Sequence, residues 1–469
     1  MLELMPLLDK RKTDPLYMQL YTYIKKQIQK GTIPPHEKLP SKRKLALHLS
    51  ISQNTVEAAY VQLEAEGYIE ILARKGAFVK EIKNEVVLQE LPPVYVSLPQ
   101  EEPKSTAIDF SHGKIDVEKF PYNTWKKLTV QAIYHGESQL FYSGHPQGEL
   151  LLRQEIAAYL YHSRGVRCTA EQIVIGAGTQ YLMWLLSVTL GKEKIIGFEN
   201  PGFHRTRHVF QEQGMSVLPI SLDDSGLKVK ELKESGANAV YITPSHQFPI
   251  GMVMPIARRL ELLEWAAETN GYIIEDDYDG EFRYKGKPIP ALQGLDQDDR
   301  VIYTGTFSKS LMPSLRISYA VLPHRLLPSY VKHCGLFKQP VSRFHQHTLF
   351  LFMKEGHWER HLNKMRTAYR KKQALLLDCL TATMGERVDV IGEYSGLHIL
   401  LKVKNGMSEQ KLIEAAAKQG VTIYPTAIYY HSADDNTTPY VLLGFAGLSD
   451  EEIKTGVNLL FKAWFEQQD

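Results

Sequence analysis

At 469 residues, the chain is too long for one ordinary domain, and its 43% hydrophobic and 23% charged residues are typical of a globular protein with several cores. Residues 1–12 lack the apolar run of a secretory signal, and the most apolar stretch, residues 181–190, has about half the length that a bilayer requires. The net charge of +2 is unevenly distributed along the chain. Residues 1–80 hold 13 Lys and Arg against 8 Asp and Glu, whereas the remainder holds 42 Lys and Arg against 45 Asp and Glu. We therefore expect the basic segment to meet a polyanion.

The three cysteines are few, odd in number and far apart in the chain: Cys168, Cys334 and Cys379. They fit neither a disulfide framework nor a metal ribbon, so the sequence predicts a protein of a reducing, cytoplasmic environment. We expect no membrane segment and no metal site.

The first eighty residues predict three helices. Asp14-Pro15 predicts the start of the first helix, with the carboxylate as N-cap and proline at the first helical position, and Lys30-Gly31 predicts its end. Ser41 predicts the cap of a second helix that runs through Leu49, and Ser52 predicts the cap of a third.

A β-hairpin is predicted directly after the third helix, which Gly67 closes. Residues 68–72 and 77–79 are apolar runs that flank Ala73-Arg74-Lys75-Gly76. Three helices followed by a hairpin with a basic tip are typical of a winged helix-turn-helix. This pattern predicts a DNA-binding domain at residues 1–82.

Hydroxyl, amide and cationic side chains stand where such a domain contacts DNA. Gln and Asn pair bidentately with adenine, and hydroxyls and cations at a helix N-terminus favour phosphate. The candidate DNA-binding residues are Ser41, Lys42, Arg43, Gln53, Asn54, Thr55, Arg74 and Lys75. The alternative is a small helical domain with ordinary serine caps and a solvated turn, but caps alone do not explain the basic tip beside an amide-rich helix start.

Residues 83–107 hold four prolines between acidic and polar residues, which predicts an extended linker. Beyond the linker, strand-like runs alternate with helical stretches, which is typical of a mostly parallel α/β sheet with helices on both faces. The predicted strands are residues 173–175, 194–198, 239–243, 272–275, 300–303 and 317–321. From about residue 350, the pattern predicts a long helix and then a smaller α+β unit.

Lys309 follows a predicted strand and is the candidate for covalent binding of an aldehyde. The segment reads Thr-Phe-Ser-Lys-Ser, so the lysine can form an imine while the neighbouring Ser308 holds a phosphate. Arg316, seven residues later, supplies a cation for the same phosphate dianion.

Two further segments complete a predicted pyridoxal-phosphate (PLP) site. Asp276 ends another predicted strand and would keep a pyridine nitrogen protonated, and Tyr278 lies on the same face of the chain and would reach the ring hydroxyl. Gly178, Thr179 and Gln180 open the apolar helix, whose free amides suit a phosphate.

Each of these segments has an ordinary alternative. A Ser-Lys pair is usually a surface feature, a Gly-x-Gly before a helix is often a tight turn, and an Asp-Asp pair can cap a helix or bind a metal. The prediction of PLP depends on all three lying at the carboxyl ends of strands in one α/β sheet, where ligands of such sheets collect.

The motifs of the first segment resemble the GntR-type winged helix: KLPSKRKLA, LSISQNTVEAAYVQLEAEGYIE and RKGAFV. Residues 108–469 resemble fold-type I aminotransferases in GHPQGELLLRQEIAAYL, IGAGTQ, ENPGFHR, TPSHQFPIG, IIEDDYDGEF, GTFSKSLMPSLRISY, SGLHI and LLGFAG. Together they resemble the MocR/GabR family of transcription regulators. The resemblance implies a winged helix, a linker, and an aminotransferase-like domain with a large part at about 108–345 and a small α+β part at about 346–469.

The resemblance also implies roles for individual residues. Lys309 would carry PLP as a Schiff base, Asp276 would face the pyridinium, and Tyr278 would face the ring oxygen. Phe203 stands where the family usually has Tyr, and would stack on the ring. Phosphate would be held by Gly178, Thr179, Gln180, Ser308 and Arg316. His246 is either a further cofactor contact or a histidine satisfied by its own loop.

One position departs from the family. Relatives often read Gly-Phe-Ala-Arg near the C-terminus, with the arginine clamping a substrate carboxylate, whereas this chain has Gly447 there. Arg205 and Arg207, near Phe203, would take part of that task, or the glycine makes room for a bulkier ligand.

The sequence therefore predicts a PLP-dependent transcription regulator that senses PLP, an amine or an amino-acid-like effector through the imine on Lys309. The alternative is an active aminotransferase with an accessory DNA module, and the missing arginine argues against efficient turnover. The resemblance implies a head-to-tail, domain-swapped homodimer on a double-stranded operator. In this dimer, the segment that contains Tyr142 reaches the neighbour's cofactor.

Overall fold

The computed structural model describes residues 4–11, 13–81, 108–135, 138–286, 289–432 and 439–466. The chain divides into two compact units, Met1–Glu102 and Pro103–Asp469. The predicted linker, residues 83–107, lies outside the described residues. No helix in the described part of the chain is long and apolar enough to cross a membrane.

The first unit is a winged helix. Its elements are α1 (Leu16–Gln29), α2 (Lys42–Leu49), α3 (Gln53–Ala65), β1 (Ile69–Leu72) and β2 (Gly76–Val79), with β1 and β2 antiparallel. The predicted caps are confirmed: Ser41 Oγ accepts from the Lys44 amide at 3.3 Å, and Ser52 Oγ accepts from the Thr55 amide at 3.1 Å. The predicted N-cap of α1 is wrong by one residue, because Pro15, with an extended ψ of 147°, takes the cap position instead of Asp14.

Apolar residues at helical spacing form the core of this unit. Leu20 and Ile24 of α1 are fully buried with Val56 and Leu63 of α3. The hydroxyl of the buried Tyr60 donates to the Pro40 carbonyl at 2.9 Å, which ties α3 to the residues that lead into α2. The unit therefore has its own hydrophobic core.

The second unit begins with the elements of a large α/β part. These are β3 (Ile108–Asp109), α4 (Tyr122–His135), α5 (Leu150–Arg164), β4 (Ile173–Gly176), α6 (Thr179–Leu190), β5 (Ile195–Asn200), α7 (His204–Glu212), β6 (Ser216–Asp223), β7 (Gly226–Leu227), α8 (Val229–Glu234), β8 (Ala239–Ile242), α9 (Ile256–Thr269), β9 (Tyr272–Asp277), β10 (Val301–Thr306), β11 (Ser318–Val321), α10 (Leu327–Cys334) and α11 (Arg343–Lys354).

A smaller part follows. Its elements are α12 (His357–Met384), β12 (Val388–Ile391), β13 (His398–Val403), α13 (Glu409–Lys418), β14 (Val421–Thr422), β15 (Tyr424–Pro425), β16 (Tyr440–Gly444) and α14 (Asp450–Phe465). Strands β12, β13, β16 and β15 form an antiparallel sheet. The predicted long helix and smaller α+β unit are confirmed.

The central sheet has the strand order β4-β11-β10-β9-β8-β5-β6-β7. Strands β10, β9, β8, β5 and β6 are parallel neighbours, which confirms the prediction of a mostly parallel sheet. Strand β11 is antiparallel to both β10 and β4, since residues 307–317 between β10 and β11 contain no α-helix to carry a parallel crossover. Strands β6 and β7 are not among the predicted strands.

Both faces of the sheet are covered by helices. Along β4, Ile173 and Ile175 enter the core beneath α5 and α11, whereas Val174 enters the core beneath α6. This alternation is why the strands are apolar throughout and why polar residues collect at the strand ends.

The first strand of the second unit packs with the small part. Strand β3 pairs in parallel with β14, and Ile108 and Phe110 are buried in the core of the small part. The predicted boundary, which placed these residues in the large part, is wrong here, because a strand of two residues carries no periodicity. This pairing leads the chain into the functional site at His112.

Candidate functional site

The carboxyl ends of β4, β5, β8, β9 and β10 meet at one edge of the central sheet, and a cavity of about 160 Å³ lies there. Nine predicted site residues line it: Thr179, Gln180, Phe203, Arg205, Asp276, Tyr278, Ser308, Lys309 and Arg316. Ligands of open α/β sheets bind at such an edge.

Lys309 lies just beyond β10, and its Nζ donates to the His112 carbonyl at 2.6 Å. Burial lowers the pKa of Lys309 to about 8, and the nearby Arg205 acts in the same direction, whereas the Asp279 carboxylate raises it. A lysine with a lowered pKa is more often unprotonated near neutral pH, which makes it a better nucleophile toward an aldehyde.

Asp276 is 4% exposed near the end of β9. Its Oδ1 accepts from Thr304 Oγ1 at 3.1 Å, and its Oδ2 accepts a short hydrogen bond from the Tyr241 hydroxyl. Burial raises the pKa of Asp276 to about 6, which is still below neutral pH, so the carboxylate remains mainly ionised there. The two donors hold it in one orientation. An ionised carboxylate in this position suits a protonated ring nitrogen.

The hydroxyl of Tyr278 lies 2.9 Å from His246 Nδ1, which in turn lies 3.0 Å from Asp279 Oδ2. His246 is buried behind Tyr278 and is not among the lining residues of the cavity. With His398, His246 and Asp279 form a group whose ligand-type atoms all lie within 4.8 Å of one another. In this group, His246 Nδ1 and the Asp279 carboxylate already form hydrogen bonds. The expectation that the protein has no metal site stays a prediction.

The predicted phosphate-binding end lies at the N-terminus of α6. Gly178, the N-cap of α6, has a φ of +96° and offers no side-chain cap to the free amides of Thr179 and Gln180. The Arg316 guanidinium crosses above it and donates to the Ala177 carbonyl at 3.1 Å. The φ of +96° favours glycine at position 178, and a Cβ there would lie 2.3 Å from Arg316 Nη2, so the guanidinium would have to shift.

The predicted effector residues separate in the structure. Arg205 lines the cavity, whereas Arg207 does not and donates to the Tyr430 carbonyl at 3.0 Å. Tyr142 is 72% exposed and does not line the cavity of its own chain. Phe203 lines the cavity, with its ring 5.3 Å from that of Phe248.

Gly447 does not line this cavity. It borders a separate surface depression, together with Asp116 and Lys372. A Cβ at position 447 would lie 2.5 Å from Lys114 Cβ, so the side chain of Lys114 fills the space beside the glycine. Room for a bulkier ligand is therefore not what Gly447 provides in this conformation.

Five lining residues were not among the predicted site residues: His112, Tyr241, Thr243, Phe248 and Thr306. Thr243 ends a predicted strand and Thr306 follows another by three residues, so the strand-end rule that selected Asp276 could have found these two, whereas Tyr241 lies in the middle of its predicted strand. No local signal points to His112, which reaches Lys309 across 197 residues of sequence. Burial and the nearby charges of Lys309 and Arg205 lower the pKa of His112 to about 3.

The predicted DNA-binding residues lie on the surface of the first unit. Gln53 and Asn54 are exposed in the first turn of α3. Arg74, with a φ of +62°, and Lys75 are exposed in the turn between β1 and β2. Ser41 and Arg43 are exposed at the start of α2, where Lys42 pairs with Glu57. The hydroxyl of Thr55, which is half-buried, lies 2.8 Å from that of Ser52.

Known proteins resemble both units. Residues 16–79 match the model of bacterial regulatory proteins of the gntR family, and residues 105–460 match that of aminotransferase class I and II. The chain is 46% identical over 463 residues to the uncharacterized HTH-type transcriptional regulator YdeL of Bacillus subtilis (strain 168), covering 99% of this chain and 100% of the relative. It is 30% identical over 479 residues to the probable rhizopine catabolism regulatory protein MocR of Rhizobium meliloti, covering 98% and 96%.

The second unit also resembles solved aminotransferases. A kynurenine aminotransferase of Pyrococcus horikoshii has a TM-score of 0.69 and 27% identity, covering 76% of this chain and 91% of that chain. An archaeal alanine:glyoxylate aminotransferase has a TM-score of 0.71 and 25% identity, covering 77% and 91%.

A GntR-type winged helix followed by an aminotransferase class I and II domain defines a class of transcription regulators. The chain belongs to the MocR/GabR family of this class. Regulators with the GntR-type helix-turn-helix bind DNA operators, and the aminotransferase class I and II fold family depends on PLP. The predicted family, fold class and role in transcription regulation are confirmed, and the comparisons favour them over an aminotransferase with an accessory DNA module.

Proposed function

We propose that this regulator binds PLP covalently through Lys309 and uses it to sense a small amine, which alters DNA binding by the winged helix. One observation carries the proposal. A single cavity joins a lysine of lowered pKa to an anion-binding helix terminus and to the buried carboxylate of Asp276.

The residues fit the cofactor at each of its functional groups. Asp276 would face the ring nitrogen, Tyr278 the ring oxygen and Phe203 the ring face, and the phosphate would lie between the amides of α6, Ser308 and Arg316. When bound, PLP supplies an aldehyde carbon that joins a primary amine and a ring that withdraws electrons. Gly178 leaves room for both the phosphate and the Arg316 guanidinium.

The effector that the cavity favours is an amine with an acidic group. Arg205 lines the cavity, and its charge acts on Lys309 and His112, so it offers a carboxylate a charged partner near the reactive lysine. PLP itself remains a second candidate signal. Because Gly447 supplies no guanidinium, we propose that binding rather than repeated turnover is the task of the site.

We further propose a homodimer that presents two winged helices to paired half-sites in an operator. Tyr134, Phe141 and Tyr142 are 80%, 69% and 72% exposed, a group of large apolar side chains that a second copy would cover. A head-to-tail arrangement would bring Tyr142 to the neighbour's cavity. The base-contacting side chains would be Gln53 and Asn54, with Arg74 and Lys75 on the phosphate backbone.

The test uses the full-length protein saturated with PLP and an operator selected from a random duplex library. Primary amines with and without a carboxylate are added while the absorbance of the bound cofactor and the DNA affinity are measured. We expect both to change with the same amine and the same midpoint concentration. Repeated formation of a keto acid would contradict the proposal of a sensor and favour the alternative of an active aminotransferase.

Lys309→Ala tests the covalent attachment, with the exposed Lys192→Ala as a matched control. Only the first variant should lose the visible absorbance of the bound cofactor and its response to amines. If Lys309→Ala kept that absorbance after dialysis, the assignment of Lys309 would be wrong.

A further inference from the structure

A buried hydrogen-bond chain leads away from the cavity behind Tyr278. The Tyr278 hydroxyl lies 2.9 Å from His246 Nδ1, and the same nitrogen lies 3.0 Å and 3.2 Å from the two oxygens of Asp279. The side chains of His246 and Asp279 are 1% and 2% exposed. His246 Nδ1 thus faces both the Tyr278 hydroxyl and the Asp279 carboxylate. Whether Nδ1 carries a proton decides whether Tyr278 can donate to it or must donate elsewhere.

The surroundings of Nε2, on the other side of the His246 ring, indicate which of the two nitrogens carries the proton. His246 Nε2 is buried without a hydrogen-bond partner among the described residues. Two glycines pack against this edge: a Cβ at Gly396 would lie 1.9 Å from His246 Cε1, and a Cβ at Gly251 would lie 3.2 Å from Nε2. A proton on Nε2 would be a buried donor without an acceptor, which is costly, whereas an unprotonated Nε2 is only an unused acceptor.

The proton therefore belongs on Nδ1, and Nδ1–H points toward the Asp279 carboxylate and the Tyr278 oxygen together. A phenol oxygen that accepts from Nδ1–H cannot also direct its own proton back to that nitrogen. The remaining direction for the Tyr278 proton is into the cavity.

We propose that His246, held by Asp279, is a positioning residue that makes Tyr278 a hydrogen-bond donor to the ligand of the cavity. The inference rests on the proposed function, because the acceptor would be the ring oxygen of PLP. His246 then acts on the cofactor without touching it, which differs from both sequence-based alternatives, a direct contact and a loop histidine. A fixed donor stabilises the ionised form of a ring oxygen.

Other ionisable groups around Tyr278 are compatible with a phenol that keeps its proton. Burial raises the pKa of Tyr278 well above its usual range, and the carboxylates of Asp279, Asp276 and Glu199 and the hydroxyl of Tyr241 act in the same direction. His398, whose ring centroid lies 5.0 Å from that of His246, has a pKa held well below its ordinary value by burial and adds no positive charge. Asp279 also acts on Lys309, so variants of His246 give the cleaner test.

The experiment compares four variants of the full-length, PLP-loaded protein: Tyr278→Phe, His246→Leu, His246→Asn and the double variant Tyr278→Phe/His246→Leu. The asparagine amide can stand where Nδ1 stands, so it restores a donor, whereas leucine removes it. The readout is the pH midpoint of the visible absorbance of the bound cofactor. Because loss of a donor makes the ring oxygen more basic, we expect Tyr278→Phe to raise this midpoint by about one pH unit, a tenfold change in proton affinity.

His246→Leu should raise the midpoint by at least half of that amount, His246→Asn should restore it, and the double variant should match Tyr278→Phe alone. An unchanged midpoint in His246→Leu, or fully additive shifts in the double variant, would overturn the proposal. If His246→Leu fails to fold, His246→Gln serves, since its amide nitrogen reaches the position of Nε2 and should behave as leucine does. A wild-type protein that retains no visible absorbance would instead refute the proposed function and is recognised before any variant is compared.

Discussion

The two units of this regulator present their candidate functional residues in opposite ways. In the winged helix, Gln53, Asn54 and Arg74 are exposed and stand within a short stretch of sequence. In the second unit, Asp276 is buried, and the partner of Lys309 comes from 197 residues away. The first surface depends on local helix and turn geometry, whereas the cavity depends on long-range packing. Mutations of these candidate residues should therefore affect recognition alone in the first unit, and both ligand binding and stability in the second.

The largest effect is expected at Gly178, where the cavity has least tolerance. In Gly178→Ala, the new Cβ would lie 2.3 Å from Arg316 Nη2, so the guanidinium must shift, and the φ of +96° strains the backbone of any residue with a side chain. We expect PLP affinity to fall roughly 100-fold, since the charged partner of the phosphate is displaced and the helix terminus is distorted. Equilibrium dialysis followed by absorbance measures it.

Gly214→Ala is the matched control for Gly178→Ala. Gly214 also has a positive φ, +78°, but a Cβ there meets nothing within 4 Å. Its cost should be the backbone strain alone, about 1 kcal/mol of stability, with no change in PLP affinity. Equal losses of PLP affinity in the two variants would contradict the claim that Gly178→Ala acts by displacing Arg316.

The second effect separates the units by pH. Burial raises the pKa of Glu199 and of Glu275 to about 7, from an ordinary value of 4.5. Between these two values, the folded unit holds protons that the unfolded chain releases, so the stabilisation is fully present below pH 4.5 and is lost as the pH rises through 7. We expect each of these two carboxyl groups to lower the unfolding free energy of the second unit by about 2 kcal/mol between pH 5 and pH 8.

The winged helix should not follow this trend. Hydrogen bonds from Lys25 and from the Tyr21 hydroxyl lower the pKa of Glu66 to about 2, so its contribution is lost only as the pH falls toward 2. Urea unfolding at several pH values, followed by a probe in each unit, measures both trends. Glu199→Gln should reduce the loss in the second unit by about half, because Glu275 still contributes, and the exposed Glu234→Gln should leave the loss unchanged.

The third effect concerns DNA. Gln53→Ala should weaken binding to the selected operator roughly tenfold, because an amide that reads a base edge contributes about 1–3 kcal/mol. Arg74→Ala should weaken all sequences alike and reduce the slope of log affinity against log salt by about one. Fluorescence anisotropy at several salt concentrations measures both, and a sequence-independent loss in Gln53→Ala would contradict base reading. Neither variant should change the absorbance of the bound cofactor.

The smallest effect tests the core of the first unit. Tyr60→Phe removes the hydrogen bond from the buried hydroxyl to the Pro40 carbonyl, and should cost about 1 kcal/mol of stability. Tyr17→Phe, at a half-buried position of α1, should cost less. Denaturant unfolding with a probe in the winged helix measures both. A simultaneous loss of bound PLP would contradict the expectation that the core of the first unit is stabilised independently of the PLP site.

The local patterns of the sequence predicted the winged helix nearly completely. Ser41 and Ser52 begin their helices as predicted, because a serine cap and the apolar spacing after it are properties of a few neighbouring residues. Strand β6, which was not predicted, contains Pro219, a residue that is unusual within a strand. The proline is tolerated because only Leu222 and Asp223 of β6 are paired on the side away from β5.

What the sequence by itself determined is the set of chemical groups and the elements that carry them: Lys309 after one strand, Asp276 at the end of another, and free amides at the start of α6. Strand ends, caps and turns are local, so a pattern of a few residues determines them. The tertiary structure alone decided that β3 pairs with β14 and so brings His112 to Lys309, and that His246 lies behind Tyr278. Those contacts depend on which distant strands pair and on the space left by Gly251 and Gly396, and neither leaves a trace in the neighbouring sequence.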